Sequence, residues 1–219
     1  MWVVKLSYDG SSLYYGSLTK KHNITLKGYN LSSYDKAGKF CVTSVGRVYG
    51  LEENIKNALK DLRKYKGLIN VEETNGFIIL TLIENERSRV FYSPMFIYPS
   101  PIVIKDGTYY LTIGSWFRKD IEKLLKECEK FPEYKLMSLK QQKITNISIT
   151  GVQPDLTEKQ RKAYELAVEK GYYEVPKKIK LEELAKIFGV SYSTFQQHLS
   201  YAEKKVGEFM RGEHTNNNR

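Results

Sequence analysis

Cysteine and histidine are nearly missing from this chain. Cys41 sits in an apolar strand pattern and Cys128 in a helix pattern, far apart in sequence, while His22, His198 and His214 are scattered. No spacing suits a zinc site or a disulfide framework, so both thiols are expected to be buried and free. Long apolar runs are absent too, and nothing approaches the length of a membrane-crossing helix. The opening segment, Met1 to Tyr8, lacks the apolar core and small-residue cleavage site of a signal peptide. A soluble, reducing, cytoplasmic setting is expected. Gly-rich phosphate loops, acid pairs beside a histidine and Cys–His pairs are likewise missing. Asp9-Gly10 with Ser11-Ser12 is explained by a turn. No enzymatic activity, cofactor or metal is expected.

What the chain does have is length, tyrosine and positive charge. Its 219 residues suffice for two modest domains, each with a core. Tyrosine occurs 17 times and the formal net charge is +10, which makes an anionic partner plausible. Residues 1–150 hold 23 basic against 15 acidic side chains, and residues 151–219 hold 12 against 10. A Lys-rich solvated surface explains the first excess as readily as a nucleic-acid partner does.

Residues 1–150 read as an α+β region. Trp2–Tyr8, Ile24–Ser32 and Phe40–Val45 are rich in β-formers, with a turn at Tyr34–Gly38 and an ambiguous stretch at Ser11–Lys21. Leu51, Ile55, Ala58, Leu59 and Leu62 recur at helical spacing over Leu51–Tyr65. Leu68–Glu72 and Phe77–Ile83 read as a hairpin across Asn75-Gly76. The order then repeats: strand Tyr109–Ile113, helix Trp116–Lys130, strands Tyr134–Leu139 and Ile144–Ile149, with Thr43 and Thr112 at matching places. A strand-rich run, Val90–Ile104, is interrupted by Pro94, Pro99 and Pro101, which suits edge strands or a crossing segment. Two ferredoxin-like or ACT-like repeats, about 1–87 and 88–150, are expected, forming a sensing or assembly region. Phe91, Tyr92, Phe96, Tyr98, Tyr109, Tyr110, Trp116 and Phe117 form an aromatic cluster. An ordinary core is the favoured reading of it, with a ligand cleft or subunit interface as the alternative.

Gly151–Asp155 reads as a linker, and 155–210 as an all-α domain followed by a disordered tail at 211–219. Thr157 and Gln160 form a capping-box pattern for a helix that stops at Gly171, and Tyr172–Pro176 follows as an extended connector. Leu181, Leu184, Ala185 and Phe188 give the next helix one apolar face. Gly189 stands where the backbone turns, Val190 plugs the corner and Ser191 caps a second helix. Phe195, Leu199, Ala202 and Val206 pack that helix back on the first. This is a helix-turn-helix pattern.

Its outward face carries Tyr192, Ser193, Thr194, Gln196, Gln197 and Ser200. An idle surface helix usually bears Glu and Lys, whereas hydroxyls and amides can read base edges. These six are candidate base contacts. Lys177, Lys178, Lys180, Lys186 and Lys204 are candidate phosphate contacts around them. The alternative is a small helical domain whose polar helix merely faces water.

Leu156-Thr157, Gln160, Ala167, Gly171-Tyr172-Tyr173, Val175-Pro176, Leu181–Ala185, Gly189–Ser191, Ser193-Thr194, His198-Leu199 and Ala202-Glu203 together resemble the bacterio-opsin activator type of helix-turn-helix domain of archaeal transcription regulators. The resemblance spans about residues 155–209. It implies an archaeal, DNA-binding transcription regulator with a C-terminal reading module behind a sensing or assembly region. Where that family often carries Arg, this chain has Ser200-Tyr201 and Lys177-Lys178, so base preference is not carried over. Double-stranded DNA is the expected partner, bound by a homodimer, with a small-molecule effector possible at residues 1–150. The alternative function is a metabolite-binding, ACT-like sensor whose output is DNA binding.

Overall fold

The structure, a computed structural model, describes residues 1–74, 76–131, 133–144, 154 and 156–211. The chain divides into two compact units, Met1–Gly151 and Val152–Arg219.

The first unit contains β1 (Trp2–Asp9), α1 (Tyr14–His22), β2 (Thr25–Lys36), β3 (Lys39–Tyr49), α2 (Glu52–Arg63), β4 (Leu68–Thr74), β5 (Phe77–Ile83), a 3-10 turn (Glu86–Phe91), β6 (Ile102–Lys105), β7 (Thr108–Ser115), α3 (Arg118–Cys128) and β8 (Tyr134–Gln141). The eight strands form one antiparallel sheet in the order β4-β5-β3-β2-β6-β7-β1-β8. Two hairpins close on two-residue turns with both φ positive, Ala37-Gly38 (49° and 71°) and Asp106-Gly107 (48° and 81°). That geometry matches the twist of the flanking strands.

The strand register puts apolar side chains on one face. Leu26 lies opposite Val48 and Ile104, Ile104 opposite Tyr109, and Tyr109 opposite Tyr8. Period-two alternation keeps all of them on the same side. Over one half of that face, Leu18 of α1 and Ala58, Leu59 and Leu62 of α2 pack on Val48, Ile78, Leu80 and Leu82. Over the other half, Ile121, Leu124 and Cys128 of α3 pack on Val4, Leu6, Leu111 and Ile113. Cys41 and Cys128 are buried free thiols, and burial pushes Cys128 up to about 12.

The two halves of the sheet follow a similar element order. Strands β2-β3, helix α2 and strands β4-β5 form one half; β6-β7, α3 and β8 form most of the other, whose remaining strand is β1. Counted from its two edges, the sheet reads β4-β5-β3-β2 and β8-β1-β7-β6, so β1 stands where β5 stands in its own half. Thr43 and Thr112 fall on the equivalent strands β3 and β7. A division at 1–87 and 88–150 therefore cuts β1 from the strands it pairs with. One half carries α2 with α1 beside it and the other carries α3, each on four strands of a shared sheet, which is not the separate βαββαβ sheet of ferredoxin-like or ACT-like modules. Hydrophobic periodicity marks elements but not which distant strand completes a sheet.

Two further expectations change. The run Val90–Ile104 is mostly irregular, with a single bridge at Ile97–Gly114 before the short β6. That strand is central rather than marginal, because it joins the two halves through β2. The strand expected at Ile144–Ile149 lies outside the described residues except for Ile144, as does Asn75 of the Asn-Gly hairpin. Of the aromatic cluster, Phe96 and Tyr98 pack into the second core, while Tyr110, Trp116 and Phe117 are exposed. Phe91, Tyr92 and Tyr109 line a cavity of about 350 Å³ at the seam between the two halves.

The second unit contains α4 (Glu158–Glu169), α5 (Leu181–Phe188) and α6 (Tyr192–Met210). Ala163 and Ala167 of α4, Leu184 and Ala185 of α5, and Phe195 and Leu199 of α6 meet in one core. Arg211 caps α6, and residues 212–219 of the expected tail lie outside the described residues.

Candidate nucleic-acid interface

Helix α6 is placed by caps and by small residues. Thr157 and Gln160 form the capping box that starts α4: the Thr157 N–H donates to Gln160 Oε1 at 3.0 Å and the Gln160 N–H to Thr157 Oγ1 at 3.3 Å. Gly171 (φ 76°) ends α4. The connector is not extended as expected. Lys178 N–H donates to the Gly171 carbonyl at 3.1 Å, so Tyr172–Lys178 folds back as a compact turn. Tyr173 Oη donates to Glu203 at 2.7 Å and ties that turn to α6. The Glu183 carboxylate accepts from the Lys180 N–H at 2.9 Å at the start of α5.

Gly189 takes φ 79° at the end of α5, a backbone conformation that disfavours any residue with a Cβ. Ser191 then caps α6, accepting from the Thr194 N–H at 3.2 Å. Phe195, Leu199 and Ala202 are buried along one side of α6, and Phe188 meets Phe195 edge-on at 5.3 Å between centroids. With that side committed to the core, helical spacing sends the opposite side to solvent.

Ser193, Gln197 and Ser200 lie at i, i+4 and i+7 and are exposed, so they share one stripe, which Lys204 continues at i+11. Tyr192 and Gln196, also exposed, flank the stripe toward α5. They share a shallow cleft with Tyr172, Lys177, Lys178 and Lys180. Thr194 is placed differently. It is half-buried, and its hydroxyl lies 2.8 Å from Ser191 Oγ inside the cap.

The five lysines also divide. Lys178 pairs with Glu174 at 2.6 Å and Lys204 with Glu208 at 3.7 Å. Lys177 stands 4.0 Å over the Tyr172 ring. Lys180 and Lys186 are exposed and form no ion pair among the described residues. Sequence reading did not single out Tyr172, Tyr173 or Glu203 as organisers of this surface. These residues are legible only as parts of the family pattern, in Gly171-Tyr172-Tyr173 and Ala202-Glu203, and not as contacts of one another.

Residues 156–208 match the family model described as an HTH DNA binding domain. This segment is a bacterio-opsin activator-type helix-turn-helix domain. The chain is 45% identical over 51 residues to a dimethyl sulfoxide reductase transcriptional activator of Haloferax volcanii, a match covering 23% of this chain and 24% of that protein. It is 47% identical over 51 residues to the protein of the same description from Halobacterium salinarum, covering 23% of each. The match thus spans about a quarter of the length of each relative. The first unit lies outside the family match at residues 156–208. Among the described residues, no helix is long and apolar enough to cross a membrane.

Proposed function

We propose that this protein is a sequence-specific DNA-binding transcription regulator, in which α6 enters the major groove. One observation carries the reading: an exposed stripe of hydroxyl and amide side chains, held out by a buried apolar seam, inside a segment that matches a DNA-binding helix-turn-helix family. Ser193, Gln197 and Ser200 are the central base contacts, with Tyr192 and Gln196 beside them. Thr194 serves mainly to hold the helix start. Lys177, Lys180 and Lys186 neutralise phosphates first, because Lys178 and Lys204 must first leave Glu174 and Glu208. A single module of this kind covers little DNA, so two copies read half-sites about one helical turn apart. Residues 1–150 act as the effector or dimerisation region. A sensing role is favoured over plain assembly by the cavity between the two sheet halves.

Selection of bound fragments from random duplexes, followed by titration of the enriched sequence at two salt concentrations, tests the proposal. A single enriched motif with half-site symmetry is expected. No enrichment at moderate ionic strength overturns it.

A further inference from the structure

The cavity at the seam of the first unit has an unusual chemical lining. Its middle is bare backbone: Gly28 and Gly46 face each other across β2 and β3. A Cβ on Gly28 would lie 2.3 Å from the Val45 carbonyl oxygen, and one on Gly46 2.5 Å from that of Lys27. No other residue fits there, so the covered face of the sheet has no side chain where the two cores meet. The space left is ringed by tyrosines, among them Tyr8, Tyr15, Tyr92, Tyr109 and Tyr134. Tyr8 stacks on Tyr134 with centroids 4.5 Å apart and is tilted toward Tyr109 at 6.0 Å.

Glu84 is one of two carboxylates that line the cavity with these rings, Glu133 being the other. Of the two, Glu84 follows β5 directly, accepts a hydrogen bond from the Asn85 backbone, and forms no ion pair among the described residues. Glu84 shares the cavity lining with Tyr15, Tyr92 and Tyr109; burial holds its carboxyl above the usual range, and its charge in turn disfavours ionisation of those phenols. Of the neutral polar groups in the lining, Ser44 Oγ donates to Asn30 Oδ1 at 2.8 Å, while burial, and with it the charge of Glu133, disfavours ionisation of Tyr8 and Tyr134. The cations that line the cavity do not answer Glu84. Lys27 and Arg47 are cross-strand neighbours on the opposite register of β2 and β3, and Lys27 Nζ sits 5.1 Å over the Tyr49 ring. Arg87 is exposed at the mouth and stacks on Phe131 at 5.5 Å.

A half-buried carboxylate without a counter-charge is costly, and tyrosine faces attract cations. We infer that this cavity is a binding site for an organic cation, an alkylated or aromatic ammonium group seated between the tyrosine rings against Glu84. A free anion meets the wrong charge, and a neutral apolar guest leaves Glu84 unanswered. The inference goes beyond DNA binding and gives the sensing role of residues 1–150 a ligand class. Its test reads ligand binding directly, so its failure leaves the reading of α6 untouched.

Titration calorimetry on the full chain with benzyltrimethylammonium, its neutral carbon isostere neopentylbenzene and the anion benzenesulfonate decides the matter. The cation is expected to bind one site per chain, about tenfold more tightly than the isostere, with no binding of the sulfonate. Glu84→Gln is expected to lower cation affinity about tenfold and leave the isostere unchanged, with the unfolding midpoint of the free protein retained. Equal affinity for cation and isostere on the unaltered protein overturns the inference, whether or not the variant folds. So does preference for the sulfonate, or a lack of saturation by the cation in the millimolar range.

Discussion

At the residue scale, the exposed side chains of α6 and its surroundings separate by what they already touch. Gln197 is exposed at the centre of the stripe, and Lys186 is exposed without an ion pair among the described residues. Gln197→Ala is expected to cost about 1–3 kcal/mol on the selected duplex and little on random DNA, read by competition titration. Lys186→Ala is expected to weaken both equally and reduce the salt slope by about 1. Lys204→Ala is expected to do less, since Lys204 gives up Glu208 on binding. A second residue, Asp61 of α2, joins α2 to the end of α1. Its carboxylate accepts from Lys21 at 2.6 Å and lies 2.8 Å from His22 Nε2, and these bonds, Lys21 first, hold it at about 2. The folded value lies below the unfolded one of about 3.9, so the carboxylate stabilises the fold above that pH. The contribution is lost as pH falls from about 4 to about 2. Thermal melts across that window are expected to fall less steeply for D61N than for the unaltered protein.

At the element scale, glycines settle where elements can meet. Gly189→Ala is expected to cost about 1–2 kcal/mol, because its φ of 79° is unfavourable for a Cβ while nothing lies within 4 Å of one. Gly46→Ala is expected to cost more by urea denaturation, since its Cβ meets backbone rather than open space. The two sites differ in legibility. Gly189 sits between an apolar helix pattern and the Ser191 cap, so its role follows from local spacing. Gly46 looks like any glycine in a strand run; only the pairing of β2 with β3 shows what it faces. Leu51–Tyr65 reads as a helix because Ala58, Leu59 and Leu62 recur at helical spacing, and those three are buried. Val90–Ile104 misleads because the β-formers ahead of β6 fill space beside α3 and the sheet instead of forming a strand.

At the scale of the whole molecule, each unit carries its own core. Phe195 is fully buried in the helical one. Phe195→Ala is expected to cost about 3–5 kcal/mol, comparable with the whole stability of so small a domain. Calorimetry is expected to show the helical transition lost and the sheet transition kept, with DNA binding abolished. A concerted loss of both transitions would contradict independent cores. The sequence by itself determined the helix-turn-helix, its caps, its buried seam and its neutral outward face, because all of these arise from neighbours within one or two helical turns. Only the tertiary structure decided that β1 completes the second half of the sheet, that Gly28 and Gly46 leave a cavity, and that Glu84 lines it together with tyrosines from α1, β1, β7 and β8. Strand pairing joins residues about a hundred positions apart, as Tyr8 with Tyr109, and no local pattern records which partner a strand finds.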